Sequence, residues 1–282
     1  MRYVLAGAKD TAMPLFKKYW FNHFLLTQLD KHWLNKLLPI LWEWNSLIID
    51  SWAFSVWTKG KNLDIDEYWR FCVELNKKYW HKLELYYINL DVIPWSPWRK
   101  PTKAQIEDSA RISYERMKYL SEKYPVKRMP VFHQHEDFEW LKKYIDDWID
   151  YIWISPANDL KPKERLKWLK KCFYEYLIPS WKPIKTHWFW VTTFSILKEI
   201  PFFSADSTSW LSWAIYNTFT IFKNWKIINF TADEYRKKYW IDYWKKTTME
   251  KYEPNLKAIS DMVKYVNQLH KIHNLEYYLK KW

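Results

Sequence analysis

Short apolar, β-branched runs alternate along this chain with longer amphipathic stretches rich in Lys and Glu, almost from one end to the other. Apolar runs bounded by polar turns read as buried strands, and apolar positions recurring every three or four residues read as helices. Strands are expected at Tyr3 to Ala6, His23 to Thr27, Ser46 to Asp50, Leu83 to Leu90, Val126 to Phe132, Tyr151 to Ser155, Pro183 to His187 and Pro201 to Ala205. Helices are expected at Ile65 to Tyr79, Lys103 to Tyr124, Phe138 to Asp146, Pro162 to Leu177 and Phe194 to Lys198. Thr102 supplies a cap before one of them, and Lys161-Pro162 opens another. This alternation is the signature of repeated βα units, and eight strands predict an α/β fold closed as a (β/α)8 TIM-type barrel. After Ala205 the pattern changes to a hairpin around Asn224 and a polar, basic helical tail from Thr231 to Trp282. The expected division is a barrel over residues 1–213 and a hairpin with a helical appendage over 214–282.

Composition changes this picture in one respect. The chain has two glycines and 23 tryptophans in 282 residues, where ordinary usage of ~7% would place about 20 glycines. Trp20, Trp80 and Trp240 each close a run reading K-K-Y-W at the end of a predicted helix, where a left-handed residue is wanted and glycine is usual. Trp225 follows Asn224 in the predicted two-residue hairpin turn, a place where Asn-Gly is the strongest signal. Trp148 and Trp181 fall at helix-to-strand connections of the same kind. The pattern implies a reading in which UGA was translated as tryptophan although the source genome reads it as glycine. A true tryptophan-rich protein would explain the abundance of Trp and not the loss of Gly. Trp57, Trp140, Trp168 and Trp210 sit in helical or buried-looking contexts and read as genuine.

The most apolar stretch, Leu34 to Ile49, is broken by Asn35, Lys36, Pro39, Glu43 and Asn45, so no membrane span is expected. The opening Met1-Arg2-Tyr3-Val4-Leu5 does not read as a signal peptide, and a cytoplasmic location is expected. Cys72 and Cys172 are too few and too isolated for a zinc site, and no metal is expected. The net charge of +13 favours a polyanionic partner.

In a parallel barrel, catalytic residues project from the C-terminal ends of the strands. The expected strand ends carry Asp50-Ser51, Asn89 and Asp91, His133-Gln134-His135-Glu136, Ser155, His187, and Asp206-Ser207-Thr208-Ser209. Any one of them suits a helix cap. Asp50, Asp91 and Asp206 on one rim suit either glycosidic-bond chemistry or a hard metal site.

With glycine restored at the suspect positions, residues 48 to 54 read I-I-D-S-G-A-F, 151 to 156 read Y-I-G-I-S-P, and 187 to 192 read H-G-F-G-V-T. In order with V-F-H-Q at 131 to 134 and F-F-S-A-D-S at 202 to 207, the chain resembles the tRNA-guanine transglycosylase superfamily, and within it the compact phage-type 7-deazaguanine transglycosylases. The resemblance spans roughly residues 46 to 213. It implies a base-exchange glycosyltransferase that replaces guanine with a 7-deazaguanine, queuosine chemistry being the best known case. Asp206 would be the aspartate nucleophile and Asp50 the acid/base. Asp91 and Gln134 would read the purine edge, Phe54 and His187 would stack on the base, and Ser51 would complete the base-binding set. The implied partners are DNA or tRNA and a free deazapurine, with no cofactor. The family's zinc cysteines are missing here, which puts tRNA in doubt. Other readings are a non-catalytic nucleic-acid-binding barrel, a carboxylate-dependent glycoside hydrolase with real tryptophan platforms, and a metal hydrolase using His133, His135 and Asp206.

Overall fold

The computed structural model describes residues 1–29, 31–41, 43, 45–51, 64–93, 101–157, 160–188, 193–240, 247–273 and 275. Nine parallel strand segments form its main sheet: β1 (Arg2–Ala6), β2 (His23–Thr27), β3 (Ser46–Asp50), β4 (Glu84–Ile88), β5 (Arg128–Met129), β6 (Val131–His133), β7 (Tyr151–Ser155), β8 (Lys185–Trp188) and β9 (Ser204–Ser207). The sheet begins at β5 and ends at β6, which flank Pro130 on one continuous stretch of chain. Proline has no N–H to offer the ladder. The carbonyls on either side still bond in opposite directions: Met129 O accepts from Asn89 N, and Pro130 O accepts from Trp153 N, both at 2.9 Å. One interrupted stave therefore joins β4 to β7, and the sheet closes with eight staves.

The pairing registers confirm the closure. From Ala205 the register runs to Tyr3 and, extended by up to four residues, passes Asn22, Asn45 and Leu83 to reach Tyr124. In the other direction it passes Trp188 and Ile154 to reach Phe132. The two routes meet on the same stave eight residues apart, which is the stagger of a TIM barrel.

That stagger sorts the inward side chains into layers drawn from alternate staves. From the N-terminal end upward, one layer holds His23, Tyr86, Tyr151 and Ser204, and the next holds Val4, Ile48, Met129 and His187. Above them come Leu25, Ile88, Trp153 and Asp206, and then Ala6, Asp50 and Val131. The apolar members of these layers form one packed cluster inside the barrel. The alternate, outward residues belong to a larger core under the helices. Below the layers, Arg2 Nη1 bonds Glu84 Oε2 at 2.6 Å and Lys185 Nζ bonds Tyr86 Oη at 2.6 Å, so charged side chains form the floor.

Around the barrel lie α1 (Met13–Lys18), α2 (Lys31–Leu37), α3 (Ile65–Tyr79), α4 (Lys103–Lys123), α5 (Phe138–Asp146), α6 (Pro162–Lys171, continued by a π-turn to Leu177), α7 (Phe194–Leu197) and α8 (Ser209–Ile215). Thr102 and Gln105 complete a capping box at the start of α4, satisfying two end donors at once. A hairpin, β10 (Thr218–Lys223) with β11 (Lys226–Thr231), leads to α9 (Ala232–Tyr239) and α10 (Thr248–Ile272). Helix α10 lays Tyr252, Leu256, Ile259, Met262 and Val266 into the outer core, each such burial worth about 1.5–3 kcal/mol. It is also tied to the chain start, where the amino terminus donates to Asn267 Oδ1 at 2.6 Å. No helix among the described residues is long and apolar enough to cross a membrane.

Three expectations need correction here. The strand expected over Val126 to Phe132 is cut in two by Pro130. The last barrel strand starts at Ser204, later than Pro201, because Pro201 cannot donate to the ladder; Asp206 consequently lies inside the strand and not after it. Trp80 is right-handed at φ −56° and continues its helix.

Candidate active site at the barrel mouth

Asp206 and His187 are wholly buried within the barrel, on adjacent staves and in adjacent layers. Asp206 Oδ1 lies 3.1 Å from His187 Nε2, His187 Nδ1 lies 2.5 Å from Ser204 Oγ, and Ser204 Oγ lies 2.5 Å from the Tyr151 hydroxyl. Chemistry orders this chain: an ionised carboxylate only accepts, so Nε2 donates to it. In a neutral imidazole Nδ1 then accepts from Ser204, whose oxygen accepts from Tyr151. Burial pushes the Tyr151 phenol far above its ordinary range, so it remains a donor. Trp153 packs edge-on against the His187 ring at 5.1 Å and shares the Asp206 layer.

A second imidazole–carboxylate pair lies higher on the rim. His133 ends β6, and its Nε2 is 2.7 Å from Oδ2 of Asp91, in the loop after β4. Burial pulls the imidazole pKa down, but the hydrogen bond to Asp91 and the charges of Glu136 and Asp91 outweigh it, and the pKa is raised. Glu136, at the start of the connection to α5, is buried, with its backbone N–H bonded to His133 O at 3.1 Å. Its desolvation is only partly offset by His133, and its carboxyl is pushed up to about 7. Its Oε2 has no hydrogen-bond partner among the described residues. A carboxyl group titrating near neutrality beside an imidazole is suited to pass protons in both directions.

Asp50 ends β3, half-buried, one layer above Asp206 and three staves away. Ser51 is buried, with its hydroxyl donating to Asn89 O at 3.4 Å. Gln134 is buried, and its Oε1 accepts from Ala157 N at 3.0 Å, which pins the turn after β6 to the loop after β7. Phe54 lies outside the described residues. His133 and Glu136 stood among the expected strand-end residues, and His133 in the metal-hydrolase alternative, but neither belonged to the expected catalytic or base-binding set. No group of three or more His, Cys, Asp or Glu side chains among the described residues is placed to hold a metal.

No protein-family model and no curated protein matches this chain. Solved structures that match include the 4-hydroxy-2-oxoglutarate aldolase/2-deydro-3-deoxyphosphogluconate aldolase from TTHB1, at TM-score 0.48 and 7% identity over 93% of this chain and 94% of that one. Also similar are KGPDC from Streptococcus mutans, at 0.45 and 8% over 94% and 97%, and the tryptophan synthase alpha subunit from Legionella pneumophila str. Paris, at 0.46 and 10% over 94% and 92%. Likeness at this level concerns the barrel alone. The expected membership of the tRNA-guanine transglycosylase superfamily is corrected: neither a family model nor a curated protein supports it. Short motifs read through restored glycines carried that expectation, and a TIM barrel with polar strand ends produces such motifs without common function. The base-exchange activity, the nucleic-acid and deazapurine partners, and the nucleic-acid-binding and glycoside-hydrolase alternatives are withdrawn with it.

Proposed function

We propose that this barrel is an enzyme of general acid–base chemistry, moving a proton on a small polar carbonyl compound bound at the C-terminal mouth. The observation that carries the reading is the Asp91–His133–Glu136 cluster: a 2.7 Å imidazole–carboxylate pair beside a buried carboxyl poised near neutrality. Glu136 takes the proton from carbon, and His133, held by Asp91, donates to the carbonyl oxygen as negative charge develops there. Asp50, half-buried at the end of β3, provides an acceptor for a substrate hydroxyl group. Gln134 and Ser51 hold the rim loops in place. Of the residues in the nine barrel-strand segments, the only lysine is Lys185, at the opposite end of the barrel, so no Schiff base on a barrel strand is proposed at the mouth.

Proton exchange tests this without knowledge of the full reaction. The protein is incubated in D2O with a mixture of small keto and aldehyde metabolites, and loss of carbon-bound proton signals is followed by NMR. Enzyme-dependent exchange is expected for at least one compound, reduced about 100-fold or more by Glu136→Gln. Exchange that survives both Glu136→Gln and His133→Ala would remove the cluster from the chemistry.

A further inference from the structure

Seven non-glycine residues among those described have positive φ: Asn217 and Asn224, which tolerate that conformation, and Trp20, Trp148, Trp181, Trp225 and Trp240, at 56° to 63°. The tryptophans occupy the motifs in which glycine is the usual residue. At Trp20 the N–H bonds Lys17 O and the next N–H, of Phe21, bonds Phe16 O; Trp148 and Ile149 repeat this toward Ile145 and Tyr144. These are the paired bonds of a Schellman helix end. Trp240 is a left-handed cap with its N–H on Arg236 O, and Trp181 bonds Ile178 O after the π-turn. Asn224 and Trp225, at φ 50° and 61°, form the two-residue turn closed by Lys223 and Lys226, the geometry that favours Asn-Gly.

All five indoles are 60% to 92% exposed. Trp148 lies under Lys182 and Trp225 on Tyr265, but neither contact requires a left-handed backbone. Trp140, Trp168 and Trp210 contrast with them. Trp210 is fully buried with its Nε1 on Ala6 O, Trp140 Nε1 bonds Glu107, and Trp168 stacks on Phe132. These two sets of tryptophan differ: one packs against its neighbours, the other is strained and outward.

We propose that positions 20, 148, 181, 225 and 240 are glycine in the protein as its own cell makes it, and that the same replacement at Trp153 opens a ligand chamber against Asp206 and His187. Among the described residues Trp153 is the one indole within the barrel layers, and it fills the layer it shares with Asp206, Leu25 and Ile88. With glycine there, an indole-sized space lies between the His187 ring and the mouth. It takes a small planar polar molecule with a hydrogen-bond donor directed at Asp206. The ligand class rests on the function proposed above; the glycine assignment does not.

The codons and the masses of peptides from the natural protein test the assignment directly. UGA and glycine are expected at the five turn positions and at 153. UGG and tryptophan at the turns would overturn the assignment, and UGG at 153 alone would remove the chamber. In recombinant protein, Trp→Gly at the five turns is expected to raise the thermal midpoint by about 2 °C or more per site, whereas Trp210→Gly lowers it. A falling midpoint at the five turns would count against the proposal. The chamber is probed with diethylpyrocarbonate, read by peptide mass. His187 should be protected in the tryptophan form and labelled after Trp153→Gly in the five-glycine background; continued protection would refute the chamber. Labelling without any carbonyl proton exchange would keep the chamber and reject the carbonyl substrate.

Discussion

At the scale of single residues, Glu136 is central to the proposed acid–base cluster and offers a direct physical check. Its carboxyl moves from an ordinary 4.5 to about 7 on folding, mainly through burial. A raised carboxyl pKa means that the folded state binds the extra proton, so this contribution to stability is complete below about pH 4.5 and is lost as the pH rises through about 7. The difference amounts to roughly 3 kcal/mol. Urea unfolding of wild type and Glu136→Gln across this range should give two curves whose separation changes by that order; parallel curves would show that the carboxyl is not shifted. Asp91→Asn acts on the neighbouring group: without the carboxylate the imidazole of His133 loses its main support for the proton, so its NMR titration midpoint should fall. The carboxylates and histidines of the rim were legible in the sequence because they directly follow strand-like runs. Their pairings were not, since Asp91 meets His133 only when the chain between them has folded back through a helix.

At the scale of elements, capping and turn chemistry were the most legible features and the source of the strongest anomalies. Thr247 and Glu250 form a reciprocal capping box that starts α10, the helix that closes the outer core. Thr247→Ala should cost about 1 kcal/mol, read as a lower urea midpoint with an unchanged slope. Strands β2, β3 and β7 fall within their expected bounds because their apolar runs are sharply limited by turns. The stave containing Pro130 was harder to read, since the run from Val126 to Phe132 gives no sign of which neighbour each half will bond. Five of the six tryptophans expected in left-handed positions are found there. Trp80 is the exception, because its N–H bonds Asn76 and the helix continues for another step.

At the scale of the whole molecule, the barrel is closed electrostatically as well as by its ladder. Arg2 on β1 and Lys185 on β8 converge on Glu84 of β4, at 2.6 Å and 3.3 Å. Burial alone would raise that carboxyl, but the Tyr86 hydroxyl and Arg2 pull it down to about 2. The stability it supplies is present above about pH 4.5 and lost as the pH falls toward 2. Glu84→Gln should destabilise the barrel by about 2 kcal/mol at neutral pH, since it removes the counter-charge shared by two partly buried cations. The same variant should flatten the acid limb of a thermal-melt profile.

The filled lumen has a kinetic consequence. Tyr86, Tyr151, Ile48 and Met129, all buried, leave no passage between the floor and Asp206. A site at the mouth is therefore reached from one side, and under the function proposed above what leaves must retrace the path by which substrate entered. Product and substrate thus compete for the same threshold, and product inhibition should be competitive, with release the slow step whenever the mouth grips its cargo tightly.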